Sequence, residues 1–110
     1  MEKITESNRT QMRRGVLEYS ILLILSHHDE YAPALVQKLK DVDIIVVEGT
    51  IYPLLARLKN MGMLSYRWEE SLQGPPRKYY QITQTGLRQL AELDAVWEEL
   101  STAIGTLKNE

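Results

Sequence analysis

Two short stretches hold the side chains best suited to chemistry, and those side chains are cations and hydroxyls. Residues 49–59, GTIYPLLARLK, carry Thr50, Tyr52, Arg57 and Lys59, and residues 74–83, GPPRKYYQIT, carry Arg77, Lys78, Tyr79 and Tyr80 behind Gly74-Pro75-Pro76. Hydroxyls and fixed positive charges bind phosphates and hydrogen-bond base edges; alone they do not make or break covalent bonds. The one adjacent titratable pair, His27-His28, has no HExxH, P-loop or Gly-rich phosphate loop beside it, and neighbours on one chain point their rings apart. The chain contains no cysteine, so disulfides, thiolate metal sites and cysteine nucleophiles are excluded. These residues describe a binding protein: not an enzyme, with no catalytic residues, no metal site and no cofactor.

The bulk composition sets the scale. A chain of 110 residues, 44% apolar and 25% charged, fits one globular domain. A net charge of −2 argues against a polyanionic partner until its distribution is considered. Between Arg57 and Lys78 stand Arg57, Lys59, Arg67, Arg77 and Lys78 against only Glu69 and Glu70; from Gln84 onward acids outnumber cations. A positive surface and a remote acidic helix therefore coexist. The most apolar run, ILLIL at 21–25, is far too short to span a bilayer. The opening MEKITESNRT is polar and acid-bearing, unlike a targeting signal. The expectation is a soluble cytoplasmic protein with no membrane partner.

The elements that must position these groups follow from periodicity. A first helix is expected from about Asn8 to Ser26, with Met12, Val16, Tyr19 and Leu23 on one face and Leu17, Ile21, Ile24 and Leu25 on the other. A helix apolar on both sides needs partners on both sides. YAPALVQKLKDV reads as a short second helix with Pro33 in its first turn and Leu35 and Leu39 inward. DIIVV, at 43–47, is β-branched and reads as a brief strand. In the third helix Pro53 must lie in the opening turn, placing the start near Gly49 or Thr50. Ile51, Leu54, Leu55 and Leu58 form its buried stripe, and Gly62 its stop. LSYRWEE alternates Leu64, Tyr66 and Trp68 against Ser65, Arg67 and Glu69, a half-buried strand; SLQGPP reads as a turn and RKYYQIT as the returning strand. Thr83 caps a last helix in which Leu90, Leu93, Trp97, Leu100, Ile104 and Leu107 recur at alternating spacings of three and four. That is a narrow helix–helix seam. It could lie on the first helix of the same chain, but the two-sided first helix favours a seam between subunits, with Val16 joining it.

Three helices, a hairpin and a long helix make a mainly α fold with a small β-hairpin: a winged helix-turn-helix plus a long C-terminal dimerisation helix. Residues 1–83 form the DNA-binding domain, its first helix also at the dimer interface, and residues 84–110 the dimerisation helix, packed into the same unit. In this fold the third helix enters the major groove. Thr50 and Tyr52 then stand near phosphates and base edges, Arg57 and Lys59 near the backbone, and Arg77 and Lys78 at the tip of the wing beside phosphates or the minor groove. Bland alternatives stand beside these roles: Tyr52 and Tyr79 as packing between helix and hairpin, Arg77 and Lys78 as a solvated tip, and Gly49 as no more than a helix start.

Three blocks, RRGVLEYSILLIL, EGTIYPLLARLKNMGML and GPPRKYYQITQTG, resemble the signature blocks of PadR-type transcriptional regulators, with matching spacing over roughly residues 10 to 100. The resemblance implies a bacterial or archaeal winged-helix repressor of the compact subgroup with one C-terminal helix. It would be a homodimer through its first and last helices, bind a pseudo-palindromic double-stranded operator, and be released by a small effector. The DNA contacts carried over are Thr50, Tyr52, Arg77 and Lys78. Two departures stand out: Ala32-Pro33 where the family has a Gly-Tyr pair, and Val46-Val47 where a polar cap usually precedes the third helix. A missing cap is worth about 1 kcal/mol. In some compact members an aromatic on the last helix lines an effector pocket. Trp97 fits that place here, with Met12, Tyr19, Leu23 and Leu93 as walls for a planar apolar or aromatic molecule; it could equally be a bulky interface anchor. The rival function is a dimeric winged-helix interaction module that does not bind DNA.

Overall fold

The computed structural model describes residues 2–44 and 47–110. The chain runs through α1 (Glu2–His27), β1 (Glu30–Tyr31), α2 (Ala32–Asp41), a 3-10 turn (Glu48–Thr50), α3 (Ile51–Asn60), β2 (Leu64–Ser71), β3 (Gly74–Ile82) and α4 (Gln84–Lys108). The fold class is the expected winged helix-turn-helix with a long terminal helix. No helix among the described residues is long and apolar enough to cross a membrane.

The core forms where the predicted stripes meet. Ile21, Leu22 and Leu25 of α1, Leu35 and Leu39 of α2, and Ile51, Leu55 and Leu58 of α3 are all buried, and Met63, Leu64, Tyr80 and Leu90 close the cluster. The second face of α1 stays open: Met12 is exposed, and Val16, Tyr19 and Leu23 are half-buried. Helices α2 and α3 end alike. After α2 the amide of Asp43 donates to the Lys40 carbonyl (3.0 Å) and that of Ile44 to the Leu39 carbonyl (2.9 Å). After α3, Gly62 and Met63 repeat the pattern on Lys59 and Leu58 (2.9 and 3.0 Å). Both helices thus end in a Schellman motif, with the left-handed position taken by Asp43 (φ 61°) and Gly62 (φ 77°).

That ending overturns the strand expected over 43–47. Asp43 and Ile44 are used to terminate α2, and Val47 starts the approach to the 3-10 turn in no strand; Ile45 and Val46 lie outside the described residues. The third strand is instead β1, in sheet order β1-β3-β2, pairing Glu30 with Tyr80 and Tyr31 with Tyr79. The buried Glu30 carboxylate is matched by the Lys38 ammonium and by His28 Nε2 at 2.6 Å, so its charge is not left unpaired.

The hairpin corrects a second expectation. Its turn is Leu72-Gln73, and Gly74-Pro75-Pro76 belong to β3. Ser71 faces Gly74 and Glu69 faces Arg77, so the single Glu70 stands opposite both prolines, a bulge in β3. Proline lacks an N–H to give a ladder, and a bulge at the end of a strand flanked on one side only is where it is tolerated. Burial along β2 also falls away faster than alternation suggested. Leu64 is buried, but Tyr66 and Trp68 are exposed, because the hairpin outruns the core beneath it.

Thr83 joins the two halves of the fold. Its Oγ1 accepts from the Gly86 amide at 3.0 Å, capping α4, and donates to the Gly62 carbonyl at 2.6 Å, at the end of α3. Gly86 has no room for a side chain: a Cβ there would sit 2.2 Å from the Met63 carbonyl oxygen.

Candidate nucleic-acid interface

Helix α3 buries Ile51, Leu55 and Leu58 and turns the rest outward. Thr50, Tyr52, Pro53, Ala56, Arg57 and Asn60 are exposed, and of these Tyr52, Ala56 and Asn60 recur at helical spacing along one face with Gly49. Tyr52 is 45% exposed, so packing does not consume it. Ala56 and Asn60 were not singled out from the sequence, although the same 3.6-residue period that gave the buried stripe places them beside Tyr52. Neither the 3-10 turn, preceded by Val47, nor α3, preceded by Thr50, has a side-chain cap; the Thr50 amide donates to the Val47 carbonyl at 3.3 Å and the Ile51 amide to the Glu48 carbonyl instead.

The wing presents two different faces. Lys78, Tyr66 and Trp68 lie on one, together with Lys59 of α3. Lys78 Nζ sits 4.1 Å from the centre of the Tyr66 ring and Lys59 Nζ 5.1 Å from it, while Trp68 meets Tyr66 edge-on at 6.2 Å. One aromatic ring thus braces a cation from the recognition helix and a cation from the wing. Each such contact is worth about 0.5–1 kcal/mol at an exposed site. Neither lysine pairs with a carboxylate among the described residues. Tyr66 and Trp68 were read from the sequence only as strand positions; the cue to their role is that these aromatics alternate with Arg67, with Trp68 opposite Lys78.

Arg77 points the other way. Neighbouring residues in a strand alternate faces, and its guanidinium lies 5.0 Å over the Tyr31 ring, which also meets Tyr79 at 5.8 Å. Arg67 shares this side, bonded to Glu69 at 2.9 Å and Asp29 at 3.2 Å and stacked on Tyr79. The bonds to Glu69 and then Asp29 raise its pKa further above that of an ordinary guanidinium. Tyr79 is therefore a packing residue here. Arg77 and Lys78 do not form the tip, which is Leu72-Gln73 with Leu72 fully exposed; they lie just inside it, on opposite faces.

A second region concerns α1 and α4. A cleft of about 270 Å³ is lined by Met12, Gly15, Val16, Tyr19, Leu93, Val96, Trp97 and Leu100. Tyr19 donates to the Asp94 carboxylate at 2.5 Å and its ring lies 6.3 Å from that of Trp97. That hydrogen bond, then burial and the negative charges of Asp94 and Glu98, push the Tyr19 pKa up to about 12. Of the expected walls, Met12, Tyr19, Leu93 and Trp97 are brought together, whereas Leu23 packs against the core outside the cleft. The seam divides in the same way. Leu90 is buried in the chain's own core and Leu93 packs against it, while Trp97, Leu100, Ile104 and Leu107 are exposed.

Comparison with known proteins agrees with this geometry. Residues 21–92 match the model of the transcriptional regulator PadR-like family. The chain is similar to a solved PadR-like transcription factor from Bacteroides fragilis: 52% identity, 92% of this chain and 98% of that chain covered, TM-score 0.75. It is also similar to a PadR-like transcriptional regulator from Bacillus cereus, at 42% identity over 88% and 95% of the two chains and a TM-score of 0.79. Bacillus subtilis PadR, solved in complex with operator DNA, shares the fold at 23% identity and a TM-score of 0.64, over 71% of this chain and 45% of that one. The chain belongs to the PadR-like family, whose members are transcriptional regulators rather than enzymes.

Proposed function

We propose that this PadR-like protein is a cytoplasmic, homodimeric repressor that binds a pseudo-palindromic operator and is released by a planar apolar or aromatic effector. The observation that carries the DNA-binding reading is the shared bracing of Lys59 and Lys78 on Tyr66, which makes one cationic surface of the recognition helix and the wing. Thr50 and Tyr52 lie at the start of that helix and read base edges or phosphates, with Arg57 at the flanking backbone. Arg77, on the opposite face of the wing, contributes charge toward the same polyanion only within the screening length of about 8 Å at physiological salt. Operator DNA bound to the Bacillus subtilis relative of the same fold supports the assignment.

Residues 1–83 serve as the DNA-binding domain and 84–110 as the dimerisation helix. Trp97, Leu100, Ile104 and Leu107 offer an exposed apolar surface on a helix of otherwise polar character, with half-buried Val16 of α1 beside it. A second copy covers it. The Tyr19–Trp97 cleft opens onto that surface, and its mostly apolar lining suits a flat ligand. Anisotropy titration of a labelled duplex from the gene's own upstream region tests the whole reading. Lys78→Ala should weaken every duplex alike and make the salt dependence shallower by about one unit of log–log slope. A protein–protein module would show neither effect.

A further inference from the structure

The buried stripe of α1 changes in character along its length. Leu25, Ile21 and Leu17 are buried in the core, and the same face continues toward the N-terminus with Arg14, Arg13 and Thr10 at helical spacing. These three residues, with Leu17, Ile44, Val47 and Thr50, line a cleft of about 300 Å³. The stripe thus exchanges leucine for arginine where it comes beside the first turn of the recognition helix. Arg13 is half-buried, yet neither arginine pairs with a carboxylate among the described residues. The nearby acid of the 3-10 turn, Glu48, is held by Lys40 at 2.8 Å, so its charge is answered on the side of α2.

From this geometry we infer that the cleft between α1 and the start of α3 is a phosphate-binding site. Its occupant is a backbone phosphate of the operator beside the segment read by Thr50 and Tyr52. Two guanidiniums supply planar, forked donors suited to a phosphate, and the Thr10 and Thr50 hydroxyls complete the rim. A helix end that merely needed solvation would be served by any polar residues facing water; here two cations share a cleft with a residue of the recognition helix. The contact makes α1 a third anchor, so that helix, recognition helix and wing hold the backbone at three points. The inference rests on the DNA-binding reading above.

The test compares wild type, Arg13→Gln/Arg14→Gln and Arg13→Lys/Arg14→Lys on the upstream duplex and on a scrambled one. The glutamine variant should bind both about tenfold more weakly, with a log–log salt slope shallower by roughly one per subunit, and the lysine variant should recover most of the slope. Melting curves matching wild type exclude misfolding, as expected for side chains outside the core. Duplexes carrying one methylphosphonate at a time locate the phosphate: wild type loses affinity at a position where the glutamine variant loses nothing more. Unchanged affinity and slope in the glutamine variant, with Lys78→Ala still impaired, would overturn the inference alone. Saturable binding of inorganic phosphate by phosphorus NMR, abolished by the glutamine pair while duplex binding is untouched, would also overturn it in favour of a free phosphate compound. A wild type that binds no duplex would remove the DNA-binding reading and this inference together.

Discussion

The exposed side chains of α3 and the wing differ in kind from those of the distal half of α4, and the difference shows how each surface is to be covered. On α3, polar and cationic groups stand over a filled core: Tyr52 and Lys59 lie on a helix whose inner stripe, Ile51, Leu55 and Leu58, is wholly buried, and Lys78 of the wing is braced beside them on Tyr66. On distal α4 the exposed groups are themselves the apolar stripe, Trp97, Leu100, Ile104 and Leu107, which α1 covers only in part, through Tyr19 beside Trp97. A cationic surface on a packed scaffold is stable alone and waits for an anion. An apolar stripe without a scaffold is complete only against another apolar surface. The same helix makes both points, since Leu90, two turns nearer its start, is already buried.

The largest expected effect breaks the second surface to test its link to the first. Leu100→Asp/Ile104→Asp should convert a dimer to monomer in sedimentation while leaving the fold of residues 1–83 intact. Operator affinity should then fall by about 100-fold or more, because linked half-site contacts become independent. A smaller loss belongs to the first surface. Tyr52→Ala should reduce discrimination between operator and scrambled duplex by roughly 5- to 150-fold, the range of a lost base contact, with the melting temperature little changed. If affinity for both duplexes fell equally, Tyr52 would be a backbone contact instead.

The joint between the two surfaces is more modest in effect. Gly86→Ala forces a Cβ to 2.2 Å from the Met63 carbonyl oxygen, where backbone rather than a flexible side chain must yield. Urea unfolding should show a loss of about 1–3 kcal/mol, and α3 should lose protection with α4, since Thr83 ties both. The smallest effect is a pH dependence. Tyr19 has its pKa pushed up to about 12 by Asp94, so its contribution to stability is complete below pH 10 and is lost as pH rises toward 12. Tyr19→Phe should flatten thermal stability over that window and leave it unchanged in slope near neutrality.

How much was legible in the sequence follows the same division. The buried stripes of α1 and α3, the Pro53 start, the Gly62 stop and the Thr83 cap follow local rules of period and capping and hold, except that Ile24 and Leu54 are half-buried and Leu22, not singled out, is fully buried. The errors arose where tertiary pairing decides. Glu30 and Tyr31 carry no strand pattern of their own and become a strand because Tyr79 and Tyr80 lie alongside. The β-branched run at 43–47 looked like a strand, but Asp43 and Ile44 are needed to end α2. Pro75-Pro76 looked like a turn because proline punctuates turns, yet one extra residue in β3 makes the place a bulge. With the turn at Leu72-Gln73, Arg77 and Lys78 lie within β3 rather than at the tip, and strand alternation puts them on opposite faces. Tyr66 and Trp68 alternate like buried residues, but no core lies beneath them. The candidate residues of α3 were readable for the opposite reason: whatever a well-packed helix does not bury, it must present.

The central claim, that α3 and the wing form a surface for specific DNA, is met most directly by fluorescence anisotropy. A labelled duplex from the gene's own upstream region and a scrambled duplex of equal length would be titrated at two salt concentrations. Tighter binding to the upstream duplex, weakening steeply as salt rises, is the predicted result. A folded protein that binds neither duplex at either salt concentration would contradict it.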